Sequence, residues 1–210
     1  MRARITFSKT GALRYVGHLD LQTIWERAVR RAGLPLAYSN GFHPQPKITF
    51  ASALPLGFSS RAEVMDMRLQ SDVDLQDLPR RLRPALPEGI GILDVRAADE
   101  SEPALQMQVR SSEYHVSLVE AHDPAELQHG IDRILAATQL PRERKGKAYD
   151  LRPLIEGLHL EVTDAPHDPS IMMRLSAREG ATGRPEEVLA ELGVPANAAR
   201  VERTGLIFRE

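Results

Sequence analysis

Asp20-Leu21-Gln22-Thr23-Ile24-Trp25-Glu26-Arg27-Ala28-Val29-Arg30-Arg31-Ala32-Gly33 decides how the rest of the chain is read. Leu21, Ile24, Trp25, Ala28, Val29 and Ala32 recur at helical spacing and form one apolar stripe. Asp20 is the expected N-cap, because a carboxylate accepts from the open amides of a first turn. Gly33 and Pro35 stop the run, so the spacing predicts a helix over 20–32. Its other face carries Gln22, Thr23, Glu26, Arg27, Arg30 and Arg31. Cations near the C-terminal end suit the helix dipole and also suit a polyanion, and a merely solvated face has the same composition.

A helix of this kind needs a sheet to lie on. Upstream, Ala3, Ile5 and Phe7 alternate with Arg4, Thr6 and Ser8, which predicts a half-buried first strand. Downstream, residues 47–51 read as a short second strand and 63–70, with Met65, Met67 and Leu69 on one face, as a third. Leu75, Leu78 and Leu82 predict a second helix over 75–86 that Pro79 delays or kinks, and 89–97 reads as a fourth strand. The order β-α-β-β-α-β is that of a ferredoxin-like unit.

Residues 98–109 are acidic, contain a proline and lack a period, so the boundary between domains 1–98 and 110–210 falls there. Beyond it come a strand over 113–120 and a helix opened by Asp123, Pro124 and Glu126, with Leu127, Ile131, Ile134 and Leu135 as its stripe. Strands over 157–163 and 170–177, a helix over 185–192 and a strand over 201–208 give the same order again, with room for one extra strand after the first helix. The fold class expected is α+β: tandem ferredoxin-like units with antiparallel sheets.

Two stretches are candidates for function. In Ser39-Asn40-Gly41-Phe42-His43-Pro44-Gln45-Pro46-Lys47 an Asn-Gly turn is followed by prolines that hold the chain extended. Phe42 there either stacks on a base or plugs the core, while His43 and Lys47 can reach a phosphate or a proton. Arg142-Glu143-Arg144-Lys145-Gly146-Lys147 is a basic, hairpin-like segment, suited to a phosphate backbone or to protecting a sheet edge. If the two sheets face a shared cleft, both basic stretches can line it. The expected RNA contacts are Arg14, Arg27, Arg30, Arg31, Phe42, Lys47, Arg142, Arg144, Lys145 and Lys147, with Arg152 close by.

Phe7-Ser8-Lys9-Thr10-Gly11, Leu13-Arg14-Tyr15-Val16-Gly17-His18-Leu19-Asp20-Leu21, Arg30-Arg31-Ala32, Tyr38-Ser39-Asn40-Gly41-Phe42-His43-Pro44 and Leu54-Pro55-Leu56-Gly57 resemble the radical-SAM-linked family (DUF2344-like). Residues 142–147 and 150–155 fit the same pattern. The resemblance implies a domain of unknown function that works beside, or fused to, a radical SAM protein. Such a partner would carry the S-adenosylmethionine and the [4Fe–4S] cluster, and these 210 residues contain no cysteine to ligate a cluster. The reading that follows is an accessory module that binds a structured transfer or ribosomal RNA and presents it to the partner.

Two other readings compete. The tandem layout is similar, at fold level, to CRISPR RNA-processing endonucleases, which makes His18, His43 and Tyr15 catalytic candidates for metal-independent RNA cleavage. A protein-only docking scaffold is the other. Metal ligation has no recognisable spacing: His18 and His43 lie 25 residues apart, Asp20 and Glu63 add no pattern, and His115, His122, His129, His159 and His167 are scattered among polar positions. Nucleotide-binding, zinc-protease and serine-hydrolase motifs are absent.

Composition sets the remaining bounds. Apolar residues make up 42% and charged residues 27%, which is ordinary for a globular chain. No apolar run is long enough to span a bilayer, the N-terminus enters a strand pattern directly, and cysteine is absent, so the expected location is cytoplasmic without membrane contact. Net charge is −2, yet residues 1–50 hold eight Lys and Arg against Asp20 and Glu26. That surplus points to a local polyanion-binding face rather than a basic protein.

Overall fold

A computed structural model describes residues 1–161 and 169–209. The chain is α+β, with mostly antiparallel sheet and five α-helices among the described residues, and it divides into two compact units, Met1–Val109 and Arg110–Glu210.

The first unit runs β1 (Arg2–Lys9), α1 (His18–Arg31), β2 (Ile48–Phe50), β3 (Ser59–Arg68), α2 (Asp77–Leu82), β4 (Ile90–Ala97) and a short α3 (Leu105–Gln108). Its strands lie in the order β4-β1-β3-β2, and every pairing is antiparallel. α1 covers the sheet with Leu21, Trp25, Ala28 and Val29, the stripe that its periodicity required. Trp25 stands edge-on to Phe7 at 5.0 Å, and Phe50 packs on Phe7 at 6.1 Å, so three aromatics fix helix to sheet. α2 is shorter than its leucines suggest. Pro79 fits because it lies in the first turn, where no amide partner is needed, and Arg83–Ala85 tightens into a 3-10 turn at Pro84.

β1 departs from the half-buried strand that its alternation predicts. Ala3, Ile5 and Phe7 are fully buried, but Arg2 and Arg4 on the other face are only 5% and 4% exposed. Asp66 on β3 explains this: its Oδ1 accepts from Arg4 Nε at 2.7 Å, and its Oδ2 accepts from Arg2 Nε at 2.7 Å and Arg4 Nη2 at 3.0 Å. Arg2 Nη2 bonds the same carboxylate. A buried guanidinium is tolerated only when paired and hydrogen-bonded, and one carboxylate here serves two. Arg2 also donates to the carbonyls of Asp99, Glu102 and Pro103, which pins the acidic stretch that has no period of its own.

The second unit runs β5 (Val109–Leu118), α4 (Pro124–Ala136), β6 (Pro141–Arg144), β7 (Lys147–Asp150), β8 (Ile155–Glu161), β9 (Ser170–Arg178), β10 (Ala181–Thr182), α5 (Pro185–Glu191) and β11 (Ala199–Phe208). β11, β5 and β9 are successive neighbours, β8 and β10 share the far edge of β9, and among the described residues β6 pairs only with β7. Asp123 caps α4 by accepting from Ala125 N at 2.9 Å. The expected continuation of β8 into Val162 and Thr163, and His167, lie outside the described residues.

Candidate functional site

The first corner of interest is built by β1 and the turn that follows it. Thr10 N donates to Gly89 O at 2.8 Å, Gly11–Tyr15 coils into a 3-10 turn, and the buried Lys9 donates through Nζ to Val16 O at 2.8 Å. With Val16 fixed, Gly17 sits extended and becomes the N-cap, its carbonyl accepting from Leu21 N at 2.9 Å. α1 therefore starts two residues before Asp20, which is not the cap but a first-turn carboxylate facing the helix dipole. Gly57 N donates to Arg14 O at 2.8 Å, so the Leu54–Gly57 turn joins the same corner. The outcome is an apolar surface in water: Tyr15, Leu19 and Leu56 are 61%, 76% and 65% exposed. Arg14 lies 4.8 Å over the Tyr15 ring, and the exposed His18 meets Phe50 edge-on at 5.2 Å.

The second feature is the loop over 39–46. Its neck is closed by a bridge between Tyr38 and Pro46, by Ser39 N to Gln45 O at 2.8 Å, and by Gln45 N to Ser39 Oγ at 2.9 Å. Tyr38 OH donates to Glu26 Oε1 at 3.0 Å, which ties the neck to the polar face of α1. Burial, then the Glu26 carboxylate, raises the Tyr38 hydroxyl pKa, and Arg30 acts the other way. Gly41, with φ +124°, supplies the turn. Phe42 at the tip is 100% exposed, so it is not a core plug. Leaving it in water forgoes on the order of 1.5–3 kcal/mol of possible burial.

The predicted cations divide into free and engaged. Arg27, Arg30, Arg31 and Lys47 are exposed, and no hydrogen bond or ion pair joins their side chains to another described residue. Arg81 of α2, a residue that sequence reasoning passed over, donates to Ala32 O and Gly33 O at 2.9 and 2.8 Å. By capping the end of α1 it leaves Arg30 and Arg31 to the solvent. Arg2, Arg4 and Lys9 are buried, so the N-terminal surplus of charge is not all surface charge. His18 opens α1, whereas His43 belongs to the loop anchored at Glu26, about 12 Å further along the helix axis. No hydrogen bond or ring contact joins the two among the described residues.

In the second unit, Lys145 and Gly146, with φ of 48° and 73°, form the two-residue turn between β6 and β7 that the Lys-Gly pair suggests. Arg144, Lys145 and Lys147 are exposed at its tip. Arg142 is different: it pairs with Glu191 of α5. Arg152 donates to the carbonyls of Leu135 and Ile155. Between hairpin and α5, burial beside Glu187 pushes the Tyr149 hydroxyl up to about 12, and burial raises the Glu186 carboxyl. Among the described residues, no three His, Cys, Asp or Glu gather into a metal centre, and no helix is long and apolar enough to cross a membrane.

Fold and surface together define an α+β protein of two compact units, with an exposed aromatic loop anchored beside an arginine-bearing helix face. The chain belongs to the family described as "Uncharacterized protein conserved in bacteria (DUF2344)", whose model matches residues 2–185. No curated protein matches it.

Proposed function

We propose that the chain is the accessory, RNA-binding component of a radical SAM system. It would hold a structured transfer or ribosomal RNA for a separate iron–sulfur enzyme, which supplies the cluster and S-adenosylmethionine. The observation that carries this reading is Phe42, wholly exposed on a loop with a closed neck and anchored to α1 at Glu26, where Arg27 and Arg30 are unpaired. An aromatic ring takes a base by stacking, and neighbouring guanidiniums take phosphates. Arg144, Lys145 and Lys147 on the second unit's hairpin offer a further phosphate contact. Both units are read as ferredoxin-like: the strand order β4-β1-β3-β2 of the first recurs in the second as β11-β5-β9-β8. The partner enzyme is assigned to the apolar corner of Tyr15, Leu19 and Leu56, a composition suited to a protein contact. Ribonuclease chemistry through His18 and His43 has no such support, since no described contact brings the two rings together.

The test is RNA binding by Arg30→Glu/Arg31→Glu, measured from about 50 to 200 mM salt with transfer RNA and ribosomal RNA fragments. The double variant is expected to bind at least tenfold more weakly, with a flatter salt dependence. Unchanged binding excludes this helix as the RNA face. Anaerobic affinity purification with and without nuclease then separates an RNA bridge to the iron–sulfur partner from direct docking.

A further inference from the structure

Three residues far apart in sequence meet in one row on the outer face of the second unit's sheet. β5 and β9 pair His115 with Met172, and β8 and β9 pair His159 with that same Met172. Directly paired residues point to the same side of a sheet, and alternate residues point to the other. Val116, Ile171, Met173 and Leu158 are buried, so His115, Met172 and His159 face outward. We infer that this His–Met–His row is a binding site for a soft monovalent cation, copper(I).

The donor set selects the metal. Two neutral imidazoles and a thioether, with no thiolate or carboxylate in the row, suit copper(I) and give zinc or magnesium too few hard or anionic ligands. Spacing agrees. β5 and β8 flank β9, which places their chains about 10 Å apart. Two metal–nitrogen bonds of about 2 Å each take up the middle of that gap. Each imidazole then has to lean inward by no more than its own reach from Cβ, over the sulfur of Met172. Gly157 neighbours His159 on the same side of β8, and with Met172 they line a hollow of about 320 Å³, while His115 lines the adjoining hollow on the β5 side of the row.

Of the charges near the row, Arg200 of β11 shares a hollow with His115, and the others are paired or negative. Neither imidazole makes a hydrogen bond to another described residue, whereas His122 Nδ1 is taken up by Glu120 O at 2.8 Å and His18 by the Phe50 ring. In the adjacent row Arg174 gives its charge to Glu113, with Nη2 to Oε1 at 2.6 Å and Nε to Oε1 at 3.0 Å. On the other side Glu161, exposed on β8, adds a negative charge.

The test is anaerobic titration of the full chain with copper(I) against a chromophoric bidentate chelator, with silver(I) as an oxidation-resistant d10 substitute for NMR. One equivalent of copper(I) is expected to be retained, and silver(I) is expected to shift the ring resonances of His115 and His159 alone. Met172→Leu, which conserves volume, should weaken retention at least tenfold, and His115→Ala/His159→Ala should abolish it with the circular dichroism unchanged. His122→Ala/His129→Ala should retain the full equivalent. The inference is overturned if no copper(I) is retained, if the His115→Ala/His159→Ala variant retains it undiminished, or if zinc(II) is held as tightly.

Discussion

Replacing Asp66 with asparagine keeps the shape of the side chain and removes the buried anion that Arg2 and Arg4 share. The carboxylate and both guanidiniums are each 5% exposed, and three of its four hydrogen bonds measure between 2.7 and 3.0 Å. An amide turns one acceptor into a donor aimed at a cation. Glu102, 3.1 Å from Arg4 but 30% exposed, compensates only in part. Breaking a buried pair from one side costs about 3–5 kcal/mol. In a chain of this length that lowers Tm by roughly 6–20 °C. Urea unfolding followed by Trp25 fluorescence reads the first unit, because Trp25 is fully buried on its sheet. The triple variant Arg2→Met/Arg4→Met/Asp66→Leu should recover most of the loss, since apolar groups of similar volume often replace buried ion clusters without penalty. A loss below about 1 kcal/mol for Asp66→Asn, or a triple variant no more stable than the single one, would refute the argument.

Two further outcomes follow from single residues. Burial raises the Glu186 carboxyl pKa in the folded state, so folding favours the protonated acid: its contribution is fully present below the unfolded pKa and is lost as pH rises through the folded one. Glu186→Gln should therefore be more stable than the parent at pH 7, with the gain shrinking towards pH 4, in paired urea titrations. Gly89, at φ +96°, would place a Cβ 2.7 Å from Thr10 O, so Gly89→Ala should lose about 1–3 kcal/mol, and a loss under about 0.5 would show that the turn under Tyr15 yields freely.

What the sequence discloses depends on whether the partner of a residue is close in the chain. The stripe of α1 is legible because its period is local, and the turn at Lys145-Gly146 because two residues determine it. Arg2 and Arg4 look like the wet face of a strand, since the carboxylate that buries them lies some sixty positions on. Asp20 has the right chemistry for a cap, but the start of α1 is set by Lys9 reaching Val16 from the preceding strand. Arg142 and Arg152 look like members of a basic cluster until Glu191 and the Leu135 carbonyl are placed beside them. Asn40-Gly41 and the prolines announce a rigid loop, yet not whether Phe42 turns inward. Strand register is the least legible: nothing in the chain announces that His115, Met172 and His159 share a row.

The buried arginines of β1 also bear on how the protein comes off the ribosome. β1 is made before the groups that bury its arginines: Arg2 bonds Asp66, 64 residues later, and Asp99, 97 residues later. At about 5–20 residues per second, β1 waits roughly 3–13 s for its carboxylate and longer for the stretch that Arg2 pins. During that interval Ala3, Ile5 and Phe7 stand open on a strand with both edges unpaired. Nascent chains should accordingly stay protease-sensitive until the synthesis of residues 99–103, and the first unit should then close in one late, cooperative step.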